Sequence, residues 1–459
     1  MKNVLIIVWL IAICTCTVES TQDLNKPVLG VLGTGYVGLV TGAGLAEIGN
    51  TVICADIVKE KIDALKQGII PIYEPGLDTL VAKNVGEGRL SFTHDIAGTI
   101  AISDVIFIAV GTPMLEDGSA DMSSFKAVIE AIADNLNGYK IIVTKSTVPI
   151  GTGSWIRSLF NERMIDDVLY DFASNPEFLR EGVAVDDFLS PDRIVIGSES
   201  DNVKNVMRSI YQPMLDRNVP IVFTDIATAE TIKYASNALL AIKISFMNEM
   251  SNLCGALGAK IYTVARAMGL DKRIGPLFLN PGPGFGGSCF PKDCHELVHM
   301  GQKYGVDMHV VQAALDANEA QKEVAVKKLS SLVRTSLRDK TIAILGLAFK
   351  ANTDDIRYSS AITAIKMLLD LGAHVQAYDP AATENMKRLF PDIVYCSSPY
   401  DAVVAADACI VLTEWAEFKA LDLEKIASLM HAKIVVDMRG ILDCNRLKTL
   451  EFIYDTIGT

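Results

Sequence analysis

Positive charge is what this chain is short of. Its 42 Lys and Arg stand against 55 Asp and Glu, a formal net charge of −13, which excludes nucleic acid or an anionic membrane surface as the main partner. An anionic ligand would need locally gathered cations. Long apolar runs are scarce too: Val4 to Ile13, behind Lys2, is too short to span a bilayer comfortably. That run resembles the first two regions of a signal peptide, yet Cys14-Thr15-Cys16-Thr17-Val18-Glu19-Ser20 offers no small-x-small cleavage site. Two readings of residues 1–26 stand, a weak signal or anchor and an extension on a cytoplasmic protein; chemistry that needs cytosolic cofactors favours the second. Metal-ligand spacing is missing among the nine cysteines, an odd, scattered set that reads as reduced thiols without a metal site. With half of its residues apolar and 21% charged, the chain is not disordered, and 459 residues suggest two or three domains.

What the chain has is glycine placed with purpose. After the apolar strand Val28 to Leu32 comes Gly33-Thr34-Gly35-Tyr36-Val37-Gly38, and Leu39 to Ile48 has helical periodicity. Glycines at this spacing permit a tight turn, approach of a pyrophosphate to the backbone, and close helix–strand packing. A second strand, Thr51 to Ala55, ends in Asp56, where a ribose-binding acid belongs; an acid there favours NAD over NADP. Further strands at Val105 to Val110, Ile141 to Thr144 and Ile194 to Gly197 follow at βα spacing. The first two lead into Gly111-Thr112-Pro113 and Lys145-Ser146-Thr147-Val148-Pro149, polar groups at the sheet edge where such folds bind ligands.

A second glycine cluster, Asn280-Pro281-Gly282-Pro283-Gly284-Phe285-Gly286-Gly287-Ser288-Cys289-Phe290-Pro291-Lys292-Asp293, bends the backbone around one thiol, one ammonium and one carboxylate. Alone it reads equally as a nucleophile site or a plain loop with a packed cysteine. From Thr228 to Leu257 a long helix is expected, its stripe of Ile232, Ala235, Leu239, Ile242, Phe246 and Met250 lying against a partner. Lys233 and Asn237, four apart, share a face next to that stripe, and burial beside an Asn is expected to lower the lysine's pKa so that it can bond an oxyanion. The other reading is a snorkelling lysine. A third region, with strands at Lys340 to Leu345, Ala373 to Tyr378, Ala408 to Leu412 and Lys433 to Asp437, echoes the first in architecture and carries Lys350, Arg357 and Arg439 at strand ends as candidate clamps for a phosphorylated ligand.

Together the glycine turn, Lys145-Ser146-Thr147-Val148-Pro149, Asn175-Pro176-Glu177-Phe178-Leu179, Lys233 with Asn237, Gly284 to Asp293, and Phe349-Lys350 resemble the UDP-glucose 6-dehydrogenase branch of the UDP-glucose/GDP-mannose dehydrogenase family, in order from about Pro27 onward. Pro191-Asp192-Arg193 and the wording around Cys289 are more similar to the UDP-glucose enzymes than to the GDP-mannose or UDP-N-acetylmannosamine ones. The resemblance implies an α/β fold of two Rossmann-like doubly wound domains, 27–222 and 331–459, joined by a central helical region, 223–330, with a long interdomain helix. It implies a four-electron oxidation, UDP-glucose with two NAD and water giving UDP-glucuronate through a thiohemiacetal and thioester on Cys289. Lys233 and Asn237 would hold oxyanions, with Asp293, Thr147 and Glu177 managing protons and water. NAD would meet Gly33, Gly35, Tyr36, Val37, Gly38, Asp56, Lys61, Thr112, Thr147, Glu181, Lys292 and Arg357. The sugar nucleotide would meet Glu177, Phe178, Leu179, Arg180, Lys233, Asn237, Phe278, Gly286, Lys350 and Arg439, with Arg273 reaching a neighbouring subunit's ligand. A homodimer or larger homo-oligomer, no membrane partner and a cytoplasmic location are expected. The alternatives are a sister nucleotide-sugar dehydrogenase, a non-catalytic nucleotide-sugar binder, and a two-electron hydroxyacid-type dehydrogenase, for which Cys289 would have no use.

Overall fold

Short β-branched and apolar strands alternate with helices along most of the chain, and strands buried on both faces can only be the interior of parallel sheets. The computed structural model describes residues 26–163 and 170–458 and bears this out; the reading of residues 1–25 lies outside them. The first sheet has eight strands in the spatial order Leu90–Thr93, Thr51–Ala55, Val28–Leu32, Val105–Ile108, Lys140–Thr144, Tyr170–Ser174, Ile194–Gly197 and Ile221–Thr224. All its pairs are parallel except that between Tyr170–Ser174 and Ile194–Gly197. Strand order reverses between Val28–Leu32 and Val105–Ile108, which opens a crevice at their carboxyl ends. The second sheet repeats the arrangement with six parallel strands, Val394–Tyr395, His374–Tyr378, Thr341–Leu345, Ala408–Val411, Ile434–Asp437 and Ile453–Thr456. The fold is therefore two doubly wound sheets with helices between them.

Between the sheets runs the helix Ile226–Leu257, 32 residues long. The Asp225 carboxylate accepts from the Thr228 amide at 2.8 Å and starts it; Gly258, at φ 72°, ends it in the left-handed conformation. Its outward face keeps apolar residues of the expected stripe, while its buried face is more polar than that stripe suggests. Polar Glu230, Lys233, Asn237, Ser245 and Asn248 are buried with Tyr234, Ala238 and Ala241, whereas Leu239 and Phe246 of the apolar stripe face solvent, 59% and 46% exposed. The buried face thus mixes polar chemistry with hydrocarbon, and only part of the apolar stripe faces outward. Across it pack the helices Phe290–Lys303 and His309–Lys322. Val324–Val333 belongs with the second sheet, into whose core Ala325, Val326 and Leu329 are buried.

Candidate active site

The glycine turn forms at the crevice as its spacing requires. Gly33 has φ +100°, and a Cβ there would sit 2.7 Å from the Ala109 carbonyl oxygen; a Cβ on Gly38 would collide with the Gly33 carbonyl oxygen. Gly35 is different: a Cβ on it would meet open space. It stands at the start of the helix Tyr36–Glu47 with no side chain capping it, so that helix's first amides are free for an anion. Beside the turn the Asp56 Oδ2 accepts from the Thr34 amide and hydroxyl, both at 2.8 Å, and pairs with Lys61 at 3.0 Å. Burial works to raise the Asp56 carboxyl, but the Val58 and Thr34 donors and Lys61 outweigh it and hold it below the usual range. A free helix N-terminus, an open glycine and a fixed acid at the end of the second strand fit the pyrophosphate and ribose of NAD. Thr112 donates to the Thr147 carbonyl at 2.7 Å, tying together the two hydroxyl-bearing loops at the same edge.

A cavity of about 580 Å³ lies between this edge and the long helix, lined among others by Glu177, Phe178, Lys233, Asn237, Phe278 and Cys289. The i, i+4 spacing of Lys233 and Asn237 gives one helix face two different partners. Lys233 Nζ donates to Glu177 Oε1 at 2.8 Å, both side chains 4% exposed; Asn237 Nδ2 donates to Asp293 Oδ2 at 2.6 Å. Asp293 takes its second donor, Lys292 Nζ, at 2.6 Å on Oδ1. The expected depression of the Lys233 pKa is wrong in sign. Burial does push the ammonium down, but Glu177, Cys289 and Asp293 together push it up further, so it is a firmly charged donor. Glu177 is the mirror case: burial raises it, Lys233, the Leu179 amide and Lys145 lower it, and the net direction is down.

Cys289 caps the helix Phe290–Lys303, where the dipole favours a thiolate. Even so, burial and the charge of Glu177 push the thiol up to about 11, against the pull of Lys233 and Ser288. The loop that delivers it is fixed from three sides. Asn248 accepts the Gly282 amide at 2.8 Å; Asn318 accepts the Phe285 amide at 2.7 Å and donates to its carbonyl at 3.0 Å; the Gly287 amide donates to the Arg357 carbonyl at 2.7 Å. Gly287 has φ +80°, and a Cβ on Gly286 would lie 2.6 Å from the Tyr358 carbonyl oxygen, so the loop closes on the second sheet only because both lack side chains.

Glu181 joins all three parts. Its carboxylate accepts from Ser288 Oγ at 2.9 Å and Thr353 Oγ1 at 3.2 Å, with Arg357 at 3.5 Å. Burial first, then Asp355, raise it to about 7. Tyr36 reaches the same loop through Glu74, whose carboxylate accepts both the tyrosine hydroxyl and the amides of Gly182 and Ala184. Glu74 carries no motif that would have marked it in the sequence. Of the expected cationic contacts to the sugar nucleotide, Arg180 lines the cavity but is held by Asp187 at 2.6 Å. Lys350 faces Glu181 at the junction, its pKa lowered chiefly by burial. Arg439 is spent on structure, donating at 2.8 Å to the Leu412 and Phe349 carbonyls and pairing with Glu414 at 3.0 Å. Arg273 points outward, its side chain 88% exposed and paired with Asp271.

Comparison with known proteins agrees with this layout along the whole chain. Residues 28–215 match the NAD binding domain of the UDP-glucose/GDP-mannose dehydrogenase family, 227–320 its central domain and 343–444 its UDP binding domain. The chain is 46% identical over 431 residues to UDP-glucose 6-dehydrogenase TuaD of Bacillus subtilis, covering 94% of this chain and 93% of that protein. It is also 46% identical over 432 residues to UDP-glucose 6-dehydrogenase of Rhizobium meliloti, covering 93% and 98%. A solved UDP-glucose dehydrogenase of the archaeon Pyrobaculum islandicum superposes with a TM-score of 0.88 at 36% identity, covering 96% of this chain and 99% of that one. A site that sets a thiol and a lysine–carboxylate pair opposite a dinucleotide turn thus sits in a chain whose three segments all match one family, and the chain belongs to the UDP-glucose/GDP-mannose dehydrogenase family.

Proposed function

We propose that this protein oxidises the C6 alcohol of UDP-glucose to the carboxylate of UDP-glucuronate, with two NAD and one water. The observation that carries the reading is the grouping of Cys289, the Lys233–Glu177 pair and Asn237, with its partner Asp293, around one cavity. NAD, held by Gly33 to Gly38, Asp56 and Lys61, supplies the hydride acceptor for both oxidations. Lys233 and Asn237 hold the oxygen at C6, so the alcohol can lose its proton against a fixed cation. The first oxidation gives an aldehyde. Cys289 then forms a C–S bond to that carbon; because the thiol rests protonated, its proton leaves as the bond forms and settles on the oxygen held by Lys233 and Asn237, giving a thiohemiacetal. Loss of the second hydride from carbon, with the hydroxyl proton released to solvent, leaves a thioester. Glu177 takes a proton from the attacking water, the C–S bond breaks, and the proton returns to sulfur. Phe178, Leu179 and Phe278 frame the sugar, Gly286 shapes the cysteine loop, Thr147 serves the proton and water traffic beside NAD, and Lys350 and Arg439 set the loops that receive the UDP half.

Substrate choice is tested by running UDP-glucose, UDP-N-acetylmannosamine and GDP-mannose in parallel and identifying products by mass. Preferential turnover of either alternative sugar nucleotide would replace this substrate with a sister one. Binding of UDP-glucose with no product from any of the three would leave only a binding protein. We further place the division of the chain at 27–222, 223–323 and 324–459, the last boundary shifted from the expected 330/331 because Val324–Val333 packs into the second sheet's core. A homo-oligomer is supported by the outward stripe of the long helix, where Ile232, Leu239, Phe246 and Leu253 recur every seven residues, the last three 59%, 46% and 49% exposed. A cytoplasmic location is in keeping with a soluble cofactor and with the seven free cysteines among the described residues. No described helix is long and apolar enough to cross a membrane.

A further inference from the structure

One buried ammonium at the cavity has no part in the chemistry above. Lys145 follows the strand Lys140–Thr144 and is 6% exposed, on the wall that also carries Glu177, Lys233 and Cys289. Its hydrogen bonding is poor. Among the described residues its Nζ has one acceptor, Asn175 Oδ1, at a long 3.3 Å. That oxygen already accepts the Tyr211 hydroxyl at 2.7 Å, and the Asn175 amide nitrogen is committed to the Val195 carbonyl at 2.9 Å. A cation with three donors, buried with one of them weakly used, is costly unless its charge serves something nearby. Glu177 lines the same cavity, outside ion-pair distance of Lys145, and is the anion whose charge acts on it. The other groups around Glu177 are Lys233 from the long helix, the Cys289 thiol from the cysteine loop, and Arg193, stacked 3.5 Å over the Phe178 ring, while Asp293 acts on Lys233 and Cys289.

We propose that Lys145 is the standing counter-ion of Glu177, a positioning residue that keeps the carboxylate ionised while Lys233 is engaged with the oxyanion at C6. The inference rests on the reaction proposed above. Lys233 is bonded to Glu177 at rest, yet it is also the cation the oxyanion needs, and one ammonium cannot fully neutralise two buried anions. With Lys233 so engaged, Lys145 and the Arg193 guanidinium stacked on Phe178 are the cations left to Glu177; with Arg193 alone Glu177 would take up a proton more readily as the oxyanion forms, and a protonated carboxyl cannot accept a proton from water. Lys145 removes that conflict. Burial lowers its own pKa to about 8, with Glu177 pulling it up and Lys233 pushing it down, so its charge is present at neutral pH.

The test is the pH profile of kcat for Lys145→Met and Lys145→Arg, with acid-quenched intact mass to count thioester on Cys289. In Lys145→Met the acid limb moves up by about one pH unit, the ordinary size of losing one adjacent opposite charge, and thioester accumulates below neutral pH. Lys145→Arg keeps the limb near its wild-type place. In a Glu177→Gln background Lys145→Met produces no further slowing of thioester breakdown, because the group it serves is gone. An acid limb that stays put in Lys145→Met overturns the proposal, as does independent slowing in the double variant. If Lys145→Met fails to fold, Lys145→Gln, which retains a donor to Asn175 without the charge, gives the same reading. The wild-type yield of NADH tests the reaction itself, so a yield of two with an unmoved limb refutes the role of Lys145 alone.

Discussion

Removing Lys233 should make stability depend on pH in a direction the native pair does not. In the native protein Glu177 is held below its ordinary range, so the pair stabilises the fold above the pKa of an unfolded glutamate, and that contribution fades as pH falls through the folded value. In Lys233→Met the sign reverses. Burial, the largest influence on Glu177, is then opposed by the Leu179 amide, Lys145 and Arg193 without the bonded Lys233, and the folded pKa rises above the unfolded one. The penalty is absent below the unfolded pKa, grows as pH climbs, and is complete above the new folded value. Breaking a buried pair on one side costs about 3–5 kcal/mol, and because Lys145 remains we expect about 3 kcal/mol, on the order of 6 °C in melting temperature at pH 8. At pH 5 the deficit should be much smaller. The double variant Lys233→Met/Glu177→Gln should recover most of the lost stability at pH 8 while staying inactive, since the oxyanion still lacks its cation. Melting curves at both pH values measure this. A deficit equal at pH 5 and pH 8, or a double variant no more stable than the single one, would refute the reasoning.

The glycines of the turn should separate into binding and folding. Gly35→Ala meets open space in the protein, so the melting temperature should hold while the NAD dissociation constant rises at least tenfold; tight NAD binding by this variant would move the pyrophosphate elsewhere. Gly38→Ala collides with the Gly33 carbonyl and should lower stability by about 2 kcal/mol or more, as overpacking does, measurable without cofactor. Asn318→Ala strips both bonds from the Phe285 backbone and should slow alkylation of Cys289 or turnover by at least tenfold while leaving NAD affinity alone; unchanged thiol chemistry would mean the other ties suffice.

How much of this was legible beforehand follows from the range of the interactions. The glycine turn, its helix and Asp56 are consecutive in the chain and obey local rules, so they could be read directly. Short strands with weak patterns, such as Leu90–Thr93 and Tyr170–Ser174, escaped because their place is fixed by pairing with distant neighbours. The long helix and its partner-facing stripe could be read from apolar spacing, but the polar character of its buried face could not: only the contacts of Lys233 and Asn237 with Glu177 and Asp293, each 56 residues away, reveal it. The pKa of Lys233 failed for the same reason, since three anions from separate segments outweigh its burial. Glu74 and Asn318 hold catalytic loops through backbone bonds, which leave no signature in side-chain patterns.

The central claim is that Cys289 carries the substrate between two oxidations in one active site. It is tested most directly by the yield of NADH per UDP-glucose consumed, measured for the wild type and for Cys289→Ser. The account predicts two NADH and UDP-glucuronate from the wild type, and loss of steady turnover to the acid in the serine variant. One NADH with a free aldehyde from the wild type, or wild-type turnover to UDP-glucuronate by Cys289→Ser, would contradict it.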